Sequence, residues 1–194
     1  ESEGEIKRWN QIRPEWPDQN LQLYGPGVDS GTFDYFTETI NGEAQASRGD
    51  FTSSERDNVL VRGISGDRGS LGYLGYSYFV ENLDILKMVA IDSGAGCIFP
   101  TDATINDGSY SPLSRPIFIY VSKESWVKQD VKDFVGYYVS YERAGLLRNL
   151  GFVAFPESVH ALITDRFERG LTGSIFGGDN PQHGTVEEIL FENQ

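Results

Sequence analysis

The spacing of apolar residues near the start of the chain predicts a strand followed at once by a helix. Residues 21–24 form an apolar stretch that runs into glycines and a proline, as strands before tight loops do. Phe33, Phe36 and Ile40 then recur at positions i, i+3 and i+7, which lie on one face of a helix. One face of this helix can therefore pack while its first turn stays open.

Later patterns predict the remaining elements. Ser53 or Ser54 is expected to cap a second helix that reaches about Ile64. Apolar runs predict further strands at 70–79 and 85–91 and a buried strand at 117–121.

The chain after Trp126 is predicted to be mainly helical. The expected helices cover 127–138, 146–150 before Gly151, 158–169 before Gly170, and a last stretch from a capping box at Thr185 and Glu188 through Phe191. A flexible break is expected at 177–181.

Composition limits the possible partners. The chain has 194 residues and a formal net charge of −13, which argues against nucleic acid and anionic membranes because both bind clustered Lys and Arg. The charge also repels phosphate, so a phosphate site would depend on local dipoles and a few donors. Cys97 is the one cysteine, and we expect a buried structural thiol. No apolar run approaches a membrane span, and the start at Glu1 is expected of a processed product or a partial chain.

The start of the first long helix is a candidate anion site. We expect this helix to open at Asp29 or Ser30, where the first backbone N–H groups have no intrahelical partner and the macrodipole adds about half a positive charge. Gly31 lets a ligand approach the main chain, and the Ser30 and Thr32 hydroxyls can donate hydrogen bonds. We call residues 29–32 the anion cradle. The alternative is an ordinary N-cap followed by a loop glycine.

Catalysis and metal binding have little support. His160 is expected on an amphipathic helix and His183 in a loop, and neither has a partner at metal-ligand spacing. Ser30 lacks the Gly-x-Ser-x-Gly elbow of a hydrolase. The abundant carboxylates are typical of a solvated acidic surface. We therefore expect a binding protein without a metal or cofactor, not an enzyme.

Several motifs occur in a fixed order over residues 9–176. They are Trp16-Pro17-Asp18, the run from Leu23 to Phe36, the runs Ser54 to Val61, Gly69 to Tyr76 and Tyr110 to Pro116, and the short motifs Gly151-Phe152-Val153 and Thr172-Gly173-Ser174. Together they resemble the PstS-like phosphate-binding subunits of bacterial phosphate ABC transporters, particularly the cyanobacterial kind.

The resemblance implies an α/β fold of the type II periplasmic-binding-protein class, in which phosphate is held between two lobes. The matching part is the second lobe, with a mixed sheet flanked by helices, whereas the N-terminal lobe is missing. The implied division is an extended lead-in at 1–20 whose tryptophans dock on the body, an α/β lobe carrying the anion cradle at 21–121, and a C-terminal helical segment at 122–194 that returns toward the first lobe.

Arg48 is a further candidate ligand, because a guanidinium can donate two hydrogen bonds to a tetrahedral oxyanion. The segment 47–50 is similar to one in these phosphate-binding proteins in which an arginine approaches the anion. Better-known relatives carry an arginine just upstream of the cradle, where this chain has residues 26–28 as Pro, Gly and Val. The alternative is that Arg48 is a solvated loop residue.

Two functions follow from the resemblance. In the first, the chain is the substrate-binding protein of a phosphate uptake system, or a fragment of one. Ser30, Gly31 and Thr32 would then donate to phosphate, while Asp29 orients the cradle or Arg48 and the Arg48 guanidinium neutralises charge. In the second, a reduced relative has lost transport and acts as a structural or interaction subunit of a larger assembly.

The same resemblance implies partners and a location. Inorganic phosphate is the expected ligand, and an ABC permease or a larger membrane-associated assembly is the expected protein partner. The expected location is periplasmic or cell-surface, or organellar if the source is a photosynthetic eukaryote.

Overall fold

The computed structural model describes residues 4–94, 96–176 and 184–193. The chain forms two compact units, Glu1–Val89 and Ala90–Gln194. The α/β class expected from the sequence is confirmed, with a parallel sheet and many helices. The division into three segments stays a prediction. In the described part of the chain, none of the helices is both long enough and apolar enough to cross a membrane.

A three-stranded parallel sheet organises the first unit. Strand β1 (Gln22–Gly25) lies between β2 (Thr52–Ser53) and β3 (Ser70–Gly72). Tyr24 is opposite Thr52 in one neighbour and Gly72 in the other. The carboxyl ends of all three strands therefore lie at one edge of the sheet, so the segments that follow them meet there.

Four helices lie in the described part of the first unit. They are α1 (Trp9–Ile12), α2 (Gly31–Asn41), α3 (Asp57–Gly66) and α4 (Tyr76–Val80). Helix α2 is the one predicted from the spacing of its apolar residues. It buries Phe33 and Thr37, and its C-cap is Gly42, whose φ of 79° is easily adopted by glycine.

The predicted cap of the next helix is wrong. The N-cap of α3 is Arg56, and it makes no side-chain capping hydrogen bond. Ser54 Oγ instead accepts a hydrogen bond from the Arg56 N–H at 3.1 Å, which closes a turn before the helix begins.

The predicted strand at 70–79 is shorter than expected. Tyr73 N–H still donates to the Tyr24 carbonyl at 3.3 Å, but β1 ends at Gly25 and offers no further pairing. The chain then turns into α4, so the second half of the prediction is wrong.

The lead-in contacts the segment before β3 through Trp9. The Trp9 indole donates to the Gly69 carbonyl at 2.9 Å, and the Trp9 and Trp16 rings lie 5.5 Å apart. Helix α1 interrupts the extended conformation that was expected here, and Arg8 bridges to Asn20 beside it.

Two strand predictions near the start of the second unit need correction. The run 85–91 has no regular structure before β4 (Ile91–Asp92), which pairs with β5 (Cys97–Ile98) in an antiparallel hairpin. The run 117–121 forms no strand, and Tyr120 in it is 87% exposed. A buried strand needs a neighbouring strand, and the described residues supply none at this run. Cys97 is exposed, so the expected buried thiol is also wrong.

Within the second unit, the described chain after Trp126 is mainly helical, as predicted. The helices of this unit are α5 (Asp102–Asn106), α6 (Lys123–Trp126), α7 (Gln129–Val139), a 3₁₀ turn (Tyr141–Arg143), α8 (Ala144–Asn149), α9 (Glu157–Glu168) and α10 (Val186–Glu192). Gly151 and Gly170 follow helix ends with positive φ, and Thr185 and Glu188 form the expected capping box. The predicted break at 177–181 and His183 lie outside the described residues.

His160 on α9 is a core histidine. It is 6% exposed, and its Nδ1 lies 2.7 Å from the Val139 carbonyl oxygen. The described residues contain no group of three metal-ligating side chains, and His160 has a structural contact instead.

Thr37→Val tests how α2 holds the loop that follows it. The Thr37 hydroxyl is buried, donates to the Phe33 carbonyl at 2.8 Å and accepts from the Gln45 N–H at 2.7 Å. Gln45 has a φ of 67°, which is unfavourable for a residue with a side chain. Valine keeps the shape but leaves that N–H without its acceptor. We expect a loss of about 1–3 kcal/mol in the free energy of unfolding, measured by urea denaturation. Thr39→Val on the same helix is the control, and equal losses in both variants would contradict this account.

Candidate anion-binding site

The loop between β1 and α2 is packed at its start and accessible at its end. Gly25, Pro26 and Gly27 are buried, whereas Asp29 and Gly31 are exposed. The loop leaves the carboxyl end of β1, which is the edge of a parallel sheet where ligands commonly bind. The anion cradle therefore lies in a suitable position for a ligand from solvent.

The N-terminus of α2 has features of both an ordinary N-cap and an anion cradle, the two interpretations that the sequence allowed. Ser30 is the N-cap, and its Oγ accepts a hydrogen bond from the Thr32 N–H at 3.2 Å. That contact is an ordinary cap, but the Ser30 hydroxyl keeps its own hydrogen for a ligand. The Thr32 hydroxyl is half-buried and has no hydrogen-bond partner among the residues described. Two hydroxyls are thus available beside the positive end of an 11-residue helix.

Arg48 is bound elsewhere in this structure. Its Nε and Nη2 donate to the two carboxylate oxygens of Asp50 at 2.5 and 2.7 Å, and Nη2 also donates to the Ile6 carbonyl at 3.1 Å. Lys7 Nζ lies 3.7 Å from the same carboxylate. Hydrogen bonding from Arg48 lowers the pKa of Asp50 to about 2. Residues 29–32 lie together because they are consecutive in the chain. Arg48 makes no hydrogen bond or ion pair to them among the described residues.

Glu55 is a neighbour of the cradle that the sequence reasoning missed. Its Oε1 accepts a hydrogen bond from the Asp29 N–H at 3.3 Å. The contact depends on Gly27, because a Cβ at that position would overlap Oε1. The strand pairing explains the meeting, since Gly25 pairs with Ser53 and the Ser54 N–H donates to the Gly25 carbonyl at 3.2 Å. The two-residue strand β2 carries no sequence signal of this pairing, so the contact of Glu55 with the cradle could not be predicted from the sequence.

Tyr73 packs against the elements on both sides of the cradle, β1 and α2. Its ring stacks on Phe36 of α2, with centroids 3.9 Å apart, and a Cβ on Gly25 would lie only 2.7 Å from Tyr73 Cε1. The phenol therefore fixes α2 against the end of β1. Its hydroxyl is buried without a hydrogen-bond partner in the described part of the chain. Burial raises the pKa of Tyr73 to about 12, so the hydroxyl stays protonated at neutral pH.

A sequence profile described as a PBP superfamily domain matches residues 2–142, well over half of the chain. The chain belongs to the PBP superfamily. The match includes the parallel sheet, the anion cradle and Arg48.

The chain is also similar to curated proteins, among them phosphate-binding proteins of the kind that the motifs indicated. Protein SphX from Synechocystis sp. is 42% identical over 192 residues, covering 97% of this chain and 56% of SphX. The phosphate-binding protein PstS from Staphylococcus haemolyticus is 33% identical over 161 residues, covering 81% of this chain and 49% of that protein. The chain thus spans about half the length of the curated relatives it matches. The resemblance recognised from the sequence is confirmed.

Solved structures agree with the superfamily fold. A possible phosphate-binding protein from Planctomyces limnophilus has 41% identity and a TM-score of 0.74, covering 88% of this chain and 61% of that chain. PstS from Borrelia burgdorferi has a TM-score of 0.57 at 20% identity, covering 80% of this chain and 60% of that one, so it supports the fold alone.

Tyr73→Phe tests whether the buried hydroxyl is free in the unliganded protein. Removing an unpartnered buried hydroxyl leaves stability unchanged or raises the free energy of unfolding by up to about 1 kcal/mol. The raised pKa adds a pH signature, because the unfolded tyrosine ionises near 10.0 and the folded one near 12. Stability present below pH 10 is therefore lost as pH rises toward 12, and the variant lacks this loss. Tyr120→Phe, at an exposed tyrosine, is the control. Destabilisation of Tyr73→Phe at pH 7 would mean that the hydroxyl has a partner.

Proposed function

We propose that this chain is the phosphate-binding part of a substrate-binding protein in a phosphate ABC uptake system. The observation that supports this most is the N-terminus of α2 at the carboxyl edge of a parallel sheet, with two hydroxyls beside it, in a chain similar to proteins named for phosphate binding. The relatives are binding proteins, and we propose a binding role without catalysis.

The cradle residues have distinct proposed roles. The Ser30 and Thr32 hydroxyls donate to phosphate oxygens, and the exposed Gly31 allows the anion to approach the main chain. Asp29 orients the cradle through its position before the N-cap. These local donors are needed because the net charge of −13 repels an anion at longer range.

Arg48 has a proposed electrostatic role. It lies in the loop that returns along α2, where Gln45 Nε2 donates to Asp34 Oδ1 at 2.9 Å and Phe51 stacks on Phe33. The Arg48 guanidinium is paired with the Asp50 carboxylate, and it would need to share or exchange that carboxylate to contact the anion directly. Arg48 as a direct ligand thus requires a rearrangement that Ser30 and Thr32 do not.

Full affinity is proposed to require more polypeptide than this chain contains. Hydrogen bonds to an anion weaken where water has access, and the cradle is open to solvent. The chain spans 56% of SphX, so a longer relative has room for a second wall over the site. Exposed apolar residues of the second unit, including Ile117 at 69% and Tyr120 at 87% exposure, also fit a chain that packs against further structure.

The proposed cellular setting follows the relatives. The curated relatives include phosphate-binding proteins PstS, and the resemblance to them implies an ABC uptake system. We place this chain outside the cytoplasm, in the periplasm or at the cell surface, with a permease as its transport partner.

Thr32→Val is the direct test of the proposed ligand set. Calorimetric titration of the unaltered chain with phosphate should show saturable binding. Valine removes one hydrogen bond to a charged group, worth about 1.5–3 kcal/mol, so the dissociation constant should rise at least about tenfold. Thr32→Ser, which keeps the hydroxyl, is the matched control and should bind nearly as the parent does.

Two results would contradict the proposal. A folded parent chain that gives no phosphate-dependent heat would remove phosphate binding from this chain. Equal affinity in the parent and Thr32→Val would remove Thr32 from the site. Sulfate titrated in the same buffer reports whether the site prefers phosphate.

A further inference from the structure

Three backbone N–H groups of the cradle are already engaged in the unliganded protein. Ser30 N–H donates to the Gly27 carbonyl at 3.1 Å, Thr32 N–H donates to Ser30 Oγ at 3.2 Å, and Asp29 N–H donates to Glu55 Oε1 at 3.3 Å. The first two acceptors are neutral. Glu55 is the acceptor that carries a negative charge, so it differs from the others in its effect on an approaching anion.

The Glu55 carboxylate lies where a bound anion would also be favoured. It lies beside the loop that leads into α2, where the helix macrodipole favours negative charge. The ion pairs of the described residues use Asp18, Asp50 and Asp165, and Glu55 is in none of them. The carboxylate is also exposed, which leaves it free to move away from the loop.

Gly27 makes this arrangement possible. A side chain at position 27 would overlap Glu55 Oε1 and displace the carboxylate from the Asp29 N–H. The sheet fixes the position of the segment that carries Glu55, because Gly25 and Ser53 are paired and Glu55 lies two residues after β2. Glu55 is therefore held close to the cradle by the sheet, not by chance proximity of two loops.

We propose that Glu55 is an internal competitor of the anion: its carboxylate occupies the Asp29 N–H in the unliganded protein and must withdraw when an oxyanion enters the cradle. This inference rests on the proposed phosphate-binding function. In this role Glu55 lowers the affinity for the oxyanion and so favours its release. The ligand class is a tetrahedral oxyanion such as inorganic phosphate.

Glu55→Gln removes the charge and keeps the size of the side chain. Two unit charges about 4 Å apart in water repel by about 1 kcal/mol, so phosphate should bind about three- to tenfold more tightly to the variant at low salt. The Debye length falls to about 3 Å at 1 M salt, so the advantage should shrink towards none as salt is added. Calorimetric titrations of both proteins at low and high sodium chloride measure this difference.

Glu43→Gln is the matched control. It makes the same change in net charge but lies beyond the far end of α2, about 16 Å of helix from the cradle. Its phosphate affinity should equal that of the parent. Unchanged or weaker binding by Glu55→Gln, or equal tightening by Glu43→Gln, would overturn the competitor role while leaving phosphate binding intact. Absence of binding by both the parent and Glu55→Gln would instead overturn the proposed function and this inference with it.

A second measurement tests the contact without any ligand. In ¹⁵N-resolved spectra of the phosphate-free protein, Glu55→Ala should move the Asp29 amide proton upfield, because that N–H loses its acceptor. Glu43→Ala should leave the Asp29 signal in place. An unmoved Asp29 signal in Glu55→Ala would show that the carboxylate does not occupy this N–H and would overturn the proposal.

Discussion

The parallel pairing of β1 with β2 and β3 is the constraint on which the first unit depends. The pairing is short, since β1 has four residues, yet it fixes where three separate stretches of chain meet. The loop after β1 becomes the anion cradle, the residues after β2 bring Glu55 to it, and the residue after β3 is Tyr73. Parallel strands place all of these at one edge, so a single sheet geometry builds the site from distant parts of the sequence.

The chemistry at that edge is a balance between helix dipole and carboxylates. In the proposed site, the dipole at the start of α2 favours an anion, whereas the overall charge and the proposed competition from Glu55 oppose one. Arg48 brings positive charge but is already paired with Asp50. Under these conditions the affinity of the site depends on how many neutral donors surround the anion and on how well water is excluded. The chain spans about half the length of its curated relatives, so a longer relative has room for further donors and for a wall that excludes water.

The sequence predicts local features well where one segment decides the outcome. The periodicity of Phe33 and Phe36 and the cap at Ser30 depend on neighbours a few residues away, and α2 forms as expected. The capping box at Thr185 and Glu188 is local in the same way. The superfamily resemblance likewise depends on motifs that can be read along the chain.

Features that depend on distant partners were missed or predicted wrongly. The contact of Glu55 with the cradle was missed, because nothing in its own segment indicates that β2 pairs with β1. The run 117–121 is apolar enough for a buried strand, but burial requires a neighbour that the described residues do not provide. Cys97 is exposed for a similar reason, since its hairpin is two-stranded. Phosphate binding by Ser30, Gly31, Thr32, Asp29 and Arg48 stays a prediction.

The most direct measurement is a phosphate titration of the unaltered chain followed residue by residue in ¹⁵N–¹H correlation spectra, with sodium chloride at matched ionic strength as the reference. The account predicts saturable shifts that are largest for the amides of Gly31 and Thr32 at the start of α2, with the helices of the second unit little affected. Shifts centred elsewhere, or none beyond those caused by chloride, would contradict the claim that this helix start is the phosphate site.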